Sequence, residues 1–290
     1  MKTIGLLYDR LRWYEKSIIQ AAAKKGIEVA KIDAKDLSID ITRSDNDFDE
    51  NNVILQRCIS YYRGLYLTAV LENEGTQVIN PFQVSQTCGN KLLTTMALKK
   101  ANVPTPRTIM AFTPESALKA IKEIGYPAIV KPIVGSWGHF IAPVNEDNVA
   151  KAIIEHRESM SPPLGKIYYI QEEVKRLPTE LRKRDIRSFV IGDDVVAAIY
   201  RVAKEGEFIT NTSRGGKALP CDIDSEIEEI SLKAAEAVGG GVLGVDLMES
   251  PDGYVCHEVN HVMEFRNTVE VTGIPVHEII VDYLIEQAKK

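Results

Sequence analysis

The chain has 290 residues, of which 44% are hydrophobic and 26% charged, and its net charge is −6. That length is ample for a buried core and suits about two domains. The acidic balance argues against nucleic acid as the main partner. Cys58, Cys88, Cys221 and Cys256 form no CxxC pair, so they read as reduced thiols in a cytoplasm and not as a zinc site. The start, MKTIGLLYDRLRWYEK, is charged too early for a signal peptide, and no apolar run approaches the ~18 residues of a membrane span.

In chain order, "TIGLLYD" reads as a buried strand and "YEKSIIQAAAKKG" as a helix stopped by Gly26. "IEVAKID" and "NVILQRC" are further strands, "YYRGLYLTAVLENEG" a helix and "TQVIN" a strand. This alternation to about residue 85 predicts a parallel sheet covered by helices. "NKLLTTMALKKANV" is helical and "PTP" breaks it, so a domain boundary is expected near residues 85–105. Next, Thr113 caps a helix that Pro114 opens and Gly125 ends, and "AIVKP" is a strand. "VGSWGH" is a loop, "NVAKAIIEHRE" an amphipathic helix and "KIYYIQEEV" a strand. "DIRSFVIGDDVVAAIYRV" reads as a hairpin, "SEIEEISLKAAEAVGGG" as a helix with Ser225 and Glu228 spaced as a capping box, and "PVHEIIVDYLIEQAKK" as the last helix.

The chemistry concentrates near the C-terminal end. "GVLGVDLMES-PDG-YVCHEVN" predicts two strands joined by a three-residue loop that pairs Ser250 with Tyr254. On that count Asp246 lies opposite Glu258, with Asn260 two residues on and facing the same way. Facing carboxylates repel unless a cation sits between them, and an oxygen-only set suits Mg²⁺. The plain alternative is a solvated hairpin face; flanking Val242, Leu243, Val245, Leu247, Val255 and Val259 read as core instead. By the same alternation His257 points away, into packing.

No GxxxxGK[ST] and no convincing GxGxxG is present. Lys131 ends a strand before Gly135, Ser136 and Gly138, a combination that could wrap a phosphate or be an ordinary turn. "YYIQEEV" could bond an adenine through its backbone, with Glu173 on the ribose. "ITNTSRGG", with Asn211 and Arg214, fits either an anion-binding loop or a plain turn. No Ser-His-Asp arrangement and no kinase HRD or DFG set is legible.

Taken in order, Lys91, "IVKP", "GSWG", "IQEEV", "RDIRSFV", "ITNTSRGG", "GVDLME" and "HEVNHVMEF" resemble the ATP-grasp ligases of the RimK-like branch. Within it they are most similar to the LysX group, the lysine-biosynthesis ligases that join α-aminoadipate to the carrier protein LysW. The likeness spans essentially the whole chain. It implies an α/β ATP-grasp fold: an N-terminal parallel α/β (pre-ATP-grasp) domain over 1–90, a small central α+β subdomain with the phosphate loop over 91–170, and a C-terminal α+β subdomain over 171–290. It also implies ATP and Mg²⁺ as cofactors, an acyl phosphate intermediate and a homo-oligomer.

The resemblance assigns residues as well. Lys91 and Lys131 would contact ATP phosphates, and Gly135, Ser136, Trp137 and Gly138 would form the phosphate loop. Gln171, Glu172, Glu173 and Val174 would hold adenine and ribose. Arg201 and Asn211 would contact ATP phosphates near the reacting centre and act there with Arg214, and Asp246, Glu258 and Asn260 would ligate Mg²⁺. Arg187, Glu264, Phe265, Arg266, Asn267 and Thr268 would line the substrate site. In the resemblance, Asn-Thr or Asn-Ser after "EF" marks aminoadipate use, whereas Gly-Phe marks the sister group, ArgX, that uses glutamate; this chain has Asn267-Thr268. Extra residues at Pro178–Lys183 depart from the pattern. The run "VKRLPTELRKRDIR" holds Lys175, Arg176, Arg182, Lys183, Arg184 and Arg187 in fourteen residues. It reads either as a solvated loop or as a basic rim that steers the acidic LysW. The rival class is a nucleotide-binding regulator without activity, which would need a metal ligand or phosphate lysine to be missing; none is.

Overall fold

A continuous apolar run such as Ile4–Tyr8 needs cover on both faces. In the computed structural model, which describes residues 4–42, 53–135, 138, 140–160, 162–175, 184–205, 210 and 215–289, it has that cover. The N-terminal part is β1 (Ile4–Tyr8), α1 (Trp13–Lys24), β2 (Val29–Asp33), β3 (Val53–Gln56), α2 (Tyr61–Asn73), β4 (Val78–Ile79) and α3 (Phe82–Cys88). The strands form one parallel sheet in the order β2-β1-β3-β4. Leu6 and Leu55 enter one core and Leu7 and Ile54 another, so neither face is free to turn polar.

The middle of the chain is α4 (Lys91–Lys100), β5 (Thr108–Ala111), α5 (Pro114–Ile124), β6 (Ala128–Lys131), β7 (Ala142–Val144), α6 (Asp147–Met160) and β8 (Tyr168–Glu172). Its antiparallel sheet runs β5-β8-β6-β7. Thr113 caps α5 as its sequence predicts, accepting from Ser116 N. The remainder is β9 (Arg184–Ile191), β10 (Asp194–Val202), β11 (Lys217–Pro220), α7 (Ser225–Val238), β12 (Val242–Ser250), β13 (Gly253–Asn260), α8 (Arg266–Thr272) and α9 (Val276–Gln287). Its antiparallel sheet is ordered β11-β10-β9-β12-β13.

Several elements differ from the sequence reading. Helices α3 and α8, of seven residues each, and the short strands β5, β7 and β11 were not legible as separate elements. The cap of α7 is Asp224 and not Ser225, because the Asp224 carboxylate accepts from Ile227 N and so starts the helix one residue earlier.

The five-stranded sheet sets out the rest of the molecule. Ile186, Val190, Leu243, Val245 and Leu247 point to a core shared with α3, α4 and α7. On the opposite face, Phe189, Ile191, Ile199 and Val242 pack into a core shared with β1, β3, α1 and α9. Further along the same strands that second face carries Asp185, Arg187, Arg201 and Asp246, two-residue steps from Phe189, Ile199 and Val242. One face is therefore apolar where the N-terminal sheet covers it and charged where that cover ends.

Asn80 joins the two regions. It is 2% exposed, donates to the carbonyls of Val242 and His261 at 2.8 Å each, and accepts from Val242 N at 2.7 Å. Gly241 makes room for it: its φ is +112°, and a Cβ there would lie 2.1 Å from Asn80 Oδ1. Replacing Asn80 by Ala removes the partner of three backbone groups, at about 1–3 kcal/mol for each one left unsatisfied. The expected loss in urea unfolding is about 2–5 kcal/mol, and a loss below about 0.5 kcal/mol would show that the contact holds nothing.

Candidate active site

A cleft of about 240 Å³ opens at the boundary described above, and its walls come from all three sheets' surroundings. Arg12, Ile59 and Tyr61 reach it from the N-terminal region, Gly135, Gly138 and Ile141 from the middle, and Arg187, Arg201, Asp246 and Glu258 from the C-terminal sheet.

The hairpin that carries the carboxylates is built differently from the sequence count, yet arrives at the same pairing. The turn pairs Ser250 with Gly253, and Glu249 with Tyr254, one residue off the expected register. A β-bulge at His257 then adds one residue, so Asp246 still pairs with Glu258, and Gly244 with Asn260. The bulge has a second consequence. It breaks the alternation that would point His257 into packing, and His257 lines the cleft instead. Burial and then the nearby Lys131 push its pKa down to about 4, so the imidazole is neutral at physiological pH.

Asp246 is 2% exposed and fully paired. Arg187, its cross-strand neighbour, donates Nε and Nη2 to Oδ1 and Oδ2 at 2.7 Å each. Arg201 Nη2 lies 3.0 Å from Oδ2, and Asn260 Nδ2 donates to the same oxygen at 3.2 Å. Burial would raise the pKa of Asp246, but the Arg187 and Arg201 charges outweigh it and hold the carboxyl well below the usual range. Arg201 also makes a bidentate pair with Asp185 at 2.7 and 2.8 Å, and Thr210 donates to Asp185. Burial would lower the pKa of Arg201; Asp185 and Asp246 raise it further than burial lowers it.

Glu258 is held by Lys91 at 3.2 Å, and Lys91 Nζ also donates to the Gly135 carbonyl at 2.8 Å, tying the glycine loop to the hairpin. Burial would raise the Glu258 pKa, and Lys91 brings it below the ordinary value. Lys131 is 7% exposed and donates to Gln171 Oε1 at 2.6 Å. Burial, then Lys91, push its pKa down to about 8.

The other expected site residues fall into three sets. Gly138, with φ +67°, Glu264 and Asn267 line the cleft. Phe265 and Thr268, both 0% exposed, lie beneath the wall, and Arg266 is exposed and pairs with Glu270. Gln171 is committed inside the central sheet to Lys131, Thr108 and Tyr169; Glu172 accepts from Arg107 N, and Glu173 N donates to the Pro127 carbonyl. Val174 is half-buried just beyond β8. Ser136, Trp137, Asn211 and Arg214 lie outside the described residues, as do Arg176, Arg182 and Lys183 of the basic run. Arg184 of that run is not a loose rim charge: it forks onto Glu249 at 2.6 and 2.7 Å and lies 4.0 Å over the Tyr200 ring.

The reading of the sequence missed Arg12, Tyr14, Cys58, Ile59 and Tyr61 as cleft residues. A signal for them exists: they follow β1 and β3, and ligands of parallel sheets bind beyond the carboxyl ends of the strands.

The donor set fits a hard cation. Two carboxylates face each other, and Asn260, which donates its NH₂ to Asp246, keeps its amide oxygen for a second partner. Among the described residues no three His, Cys, Asp or Glu side chains cluster as a self-sufficient metal cage, so a cation here needs oxygens from a ligand as well. No helix among the described residues is long and apolar enough to cross a membrane.

The RimK-like ATP-grasp domain matches residues 88–284, and the LysX preATP-grasp domain matches residues 4–87. The α-aminoadipate–LysW ligase LysX of Saccharolobus solfataricus is 40% identical over 96% of this chain and 99% of its own length. The glutamate–LysW ligase ArgX of Sulfurisphaera tokodaii is 33% identical over 99% of each. Among solved structures, the RimK domain ATP-grasp protein from Sphaerobacter thermophilus superposes with a TM-score of 0.79 over 97% of this chain and 98% of that one, at 24% identity. The chain belongs to the RimK-like ATP-grasp family, the ATP-dependent ligases that form amide bonds.

Proposed function

We propose that the chain joins the α-amino group of α-aminoadipate to the side-chain carboxylate of the C-terminal glutamate of LysW, through an acyl phosphate. The observation that carries this reading is one cleft that holds Asp246, Glu258 and Asn260 together with Arg187, Arg201 and Asn267. Relatives named for aminoadipate are 37–40% identical and those named for glutamate 33%, and Asn267-Thr268 is the aminoadipate-type pair. A division of labour at about residues 90 and 170 goes with it: the first part closes one wall, the second covers ATP, and the third carries metal and substrate.

In this reading Mg²⁺ is held by Asp246, Glu258 and Asn260, and when bound it cancels phosphate charge and aligns the γ-phosphoryl group. Lys91 and Lys131 supply further positive charge to the phosphates, and the Gly135–Gly138 loop covers them. Gln171 to Val174 border the adenine, at the carboxyl end of β8 where its pairing with β5 and β6 ends. Arg201, buried and held by Asp185, gives a fixed cation beside the reacting carboxyl group, and Asn211 and Arg214 act with it. Arg187 receives the carrier's terminal carboxylate at the cost of loosening its fork on Asp246. No side chain needs to form a covalent bond with substrate; positioning and charge cancellation carry the rate.

The direct test is an ATP-dependent mass shift of LysW incubated with aminoadipate or with glutamate. Ligation of aminoadipate at the higher kcat/KM is expected. Preference for glutamate would assign the chain to the ArgX type, and no shift with either would end the ligase reading for this carrier.

Glu258→Ala removes a metal ligand while leaving Lys91 its bond to Gly135, so the fold should persist. Ligation should fall by at least about a hundredfold, the scale of losing a key electrostatic contact, with the melting temperature nearly unchanged. Near-normal turnover at low Mg²⁺ would remove Glu258 from the metal set.

Lys131 makes the pH dependence specific. Its free-state pKa of about 8 means it is charged at pH 7 and loses its proton as pH rises past that value. Phosphate binding must then restore the proton, so ATP affinity should weaken with rising pH. Measured from about pH 7 to about pH 9.5, the wild-type Kd should climb, and Lys131→Met should bind weakly with a flatter profile. A flat wild-type profile would show that Lys131 does not meet phosphate.

A further inference from the structure

A charged cluster on the N-terminal wall of the cleft has no role in the proposed function, apart from Glu264, which the resemblance places at the substrate site. Arg12 and Tyr14 line the cleft there, with Glu264 and Asn267 alongside. Glu15, fully buried, accepts from Arg12 Nε at 3.3 Å, Nη2 at 3.1 Å and backbone N at 2.9 Å. Arg57, 2% exposed, reaches the same carboxylate at 3.4 Å and donates to the Met263 carbonyl at 2.9 Å. One buried carboxylate thus faces two guanidinium groups. Glu264 answers the surplus charge, accepting from Arg12 Nη1 at 2.7 Å.

The two members of that last contact differ from the rest of the cluster. Arg12 is 22% and Glu264 31% exposed, whereas Glu15 and Arg57 are dry. Glu15 and the Tyr14 ring, 4.8 Å below the guanidinium carbon, already orient Arg12 without help from Glu264. The side-chain bonds described use three of the five N–H donors of Arg12, which leaves two for a carboxylate.

We propose that Arg12 and Glu264 form the clamp for the α-carboxylate and α-ammonium of the amino-acid substrate. The inference rests on the ligase reading above and adds the residues that recognise the amine donor as an α-amino acid. An α-amino acid carries its two charges on one carbon, so they are as close together as the guanidinium and carboxylate of a paired arginine and glutamate. Each then finds an opposite partner at once, and neither residue of the pair is left uncompensated. The same grip fixes the nitrogen, which passes a proton to the Glu264 carboxylate before it attacks the acyl phosphate and displaces phosphate. The side chain of the substrate is left to be read elsewhere, with Asn267 on the same wall.

The test compares three ligands in the full chain with ATP and LysW: α-aminoadipate, norleucine, which has a methyl in place of the side-chain carboxylate, and 5-aminopentanoate, which has a hydrogen in place of the α-carboxylate. Norleucine and 5-aminopentanoate are measured as competitive inhibitors. Arg12→Gln should weaken aminoadipate and norleucine in parallel, about tenfold to 150-fold, the loss of one charge-assisted bidentate contact. It should leave 5-aminopentanoate where it is in the wild type. Glu264→Gln should weaken all three, because all carry the amine. Arg12→Lys, which keeps the charge and loses the fork, should fall between wild type and Arg12→Gln. If Arg12→Gln spares norleucine and weakens only aminoadipate, Arg12 reads the side chain and the clamp is wrong. Equal losses for all three ligands in Arg12→Gln would reduce Arg12 to a structural part and overturn it too. Hydroxylamine trapping of the wild-type carrier acyl phosphate, without amino acid, separates the two readings. Trapped hydroxamate together with wild-type ratios in both variants overturns the clamp alone; neither hydroxamate nor ligated carrier overturns the ligase reading and the clamp with it.

Discussion

Asp246 is a carboxylate that is 2% exposed, and a charge so far from water survives only if it is paired and hydrogen-bonded. The pairing comes from strand register. Arg187 stands opposite Asp246 across β9 and β12, and Arg201 opposite Asp185 across β10 and β9. The two pairs interlock through the 3.0 Å contact of Arg201 with Asp246. Removing any one of the four strands a buried charge, which typically costs about 3–5 kcal/mol. The lattice thereby ties the site's geometry to the stability of its sheet. It also explains why the sheet face changes character along its length: the charged end cannot be covered by apolar side chains, so the N-terminal sheet stops short and a cleft remains.

Much of this was legible in the sequence because strand alternation and loop length are short-range rules. The pairing of Asp246 with Glu258 was reached from the Pro251-Asp252-Gly253 loop, although that loop closes one residue earlier than expected. The error cancels at the bulge, and the residue that absorbs it, His257, is the one whose direction was misjudged. Periodicity has no means of seeing a bulge; it is a property of the paired strands together. The same limit hid α8. Its residues follow a strand whose polar pattern continues into "EFRNTV", so the helix emerges only once Phe265 and Thr268 are buried against the sheets.

The N-terminal wall illustrates a different limit. β1 and β3 were read correctly as buried parallel strands, and a parallel sheet presents its ligand-facing loops beyond its carboxyl ends. That rule singles out the segments after Tyr8 and Gln56. It cannot say that a five-stranded antiparallel sheet from the far end of the chain stands across from them. Asn80 and Gly241 provide that juxtaposition through bonds between residues more than a hundred and fifty positions apart, which no local pattern encodes.

The charges of the cleft bear on the order in which it fills. Lys91, Lys131, Arg187 and Arg201 gather around Asp185, Asp246 and Glu258, so cations outnumber carboxylates by one. A free divalent cation added to that set would raise an excess of positive charge in a region of low dielectric, where like charges repel strongly. It would also compete with Arg187 and Arg201 for the same Asp246 oxygens. A nucleoside triphosphate brings more negative charge than one Mg²⁺ cancels, so the two together offset an excess that Mg²⁺ alone would enlarge. Under the proposed function, the arginines and lysines that hold the carboxylates ionised also disfavour metal without nucleotide. On that proposal the metal and ATP would enter as one ligand, and Arg187, released in part from Asp246, would be freed for a carboxylate as the phosphates arrive.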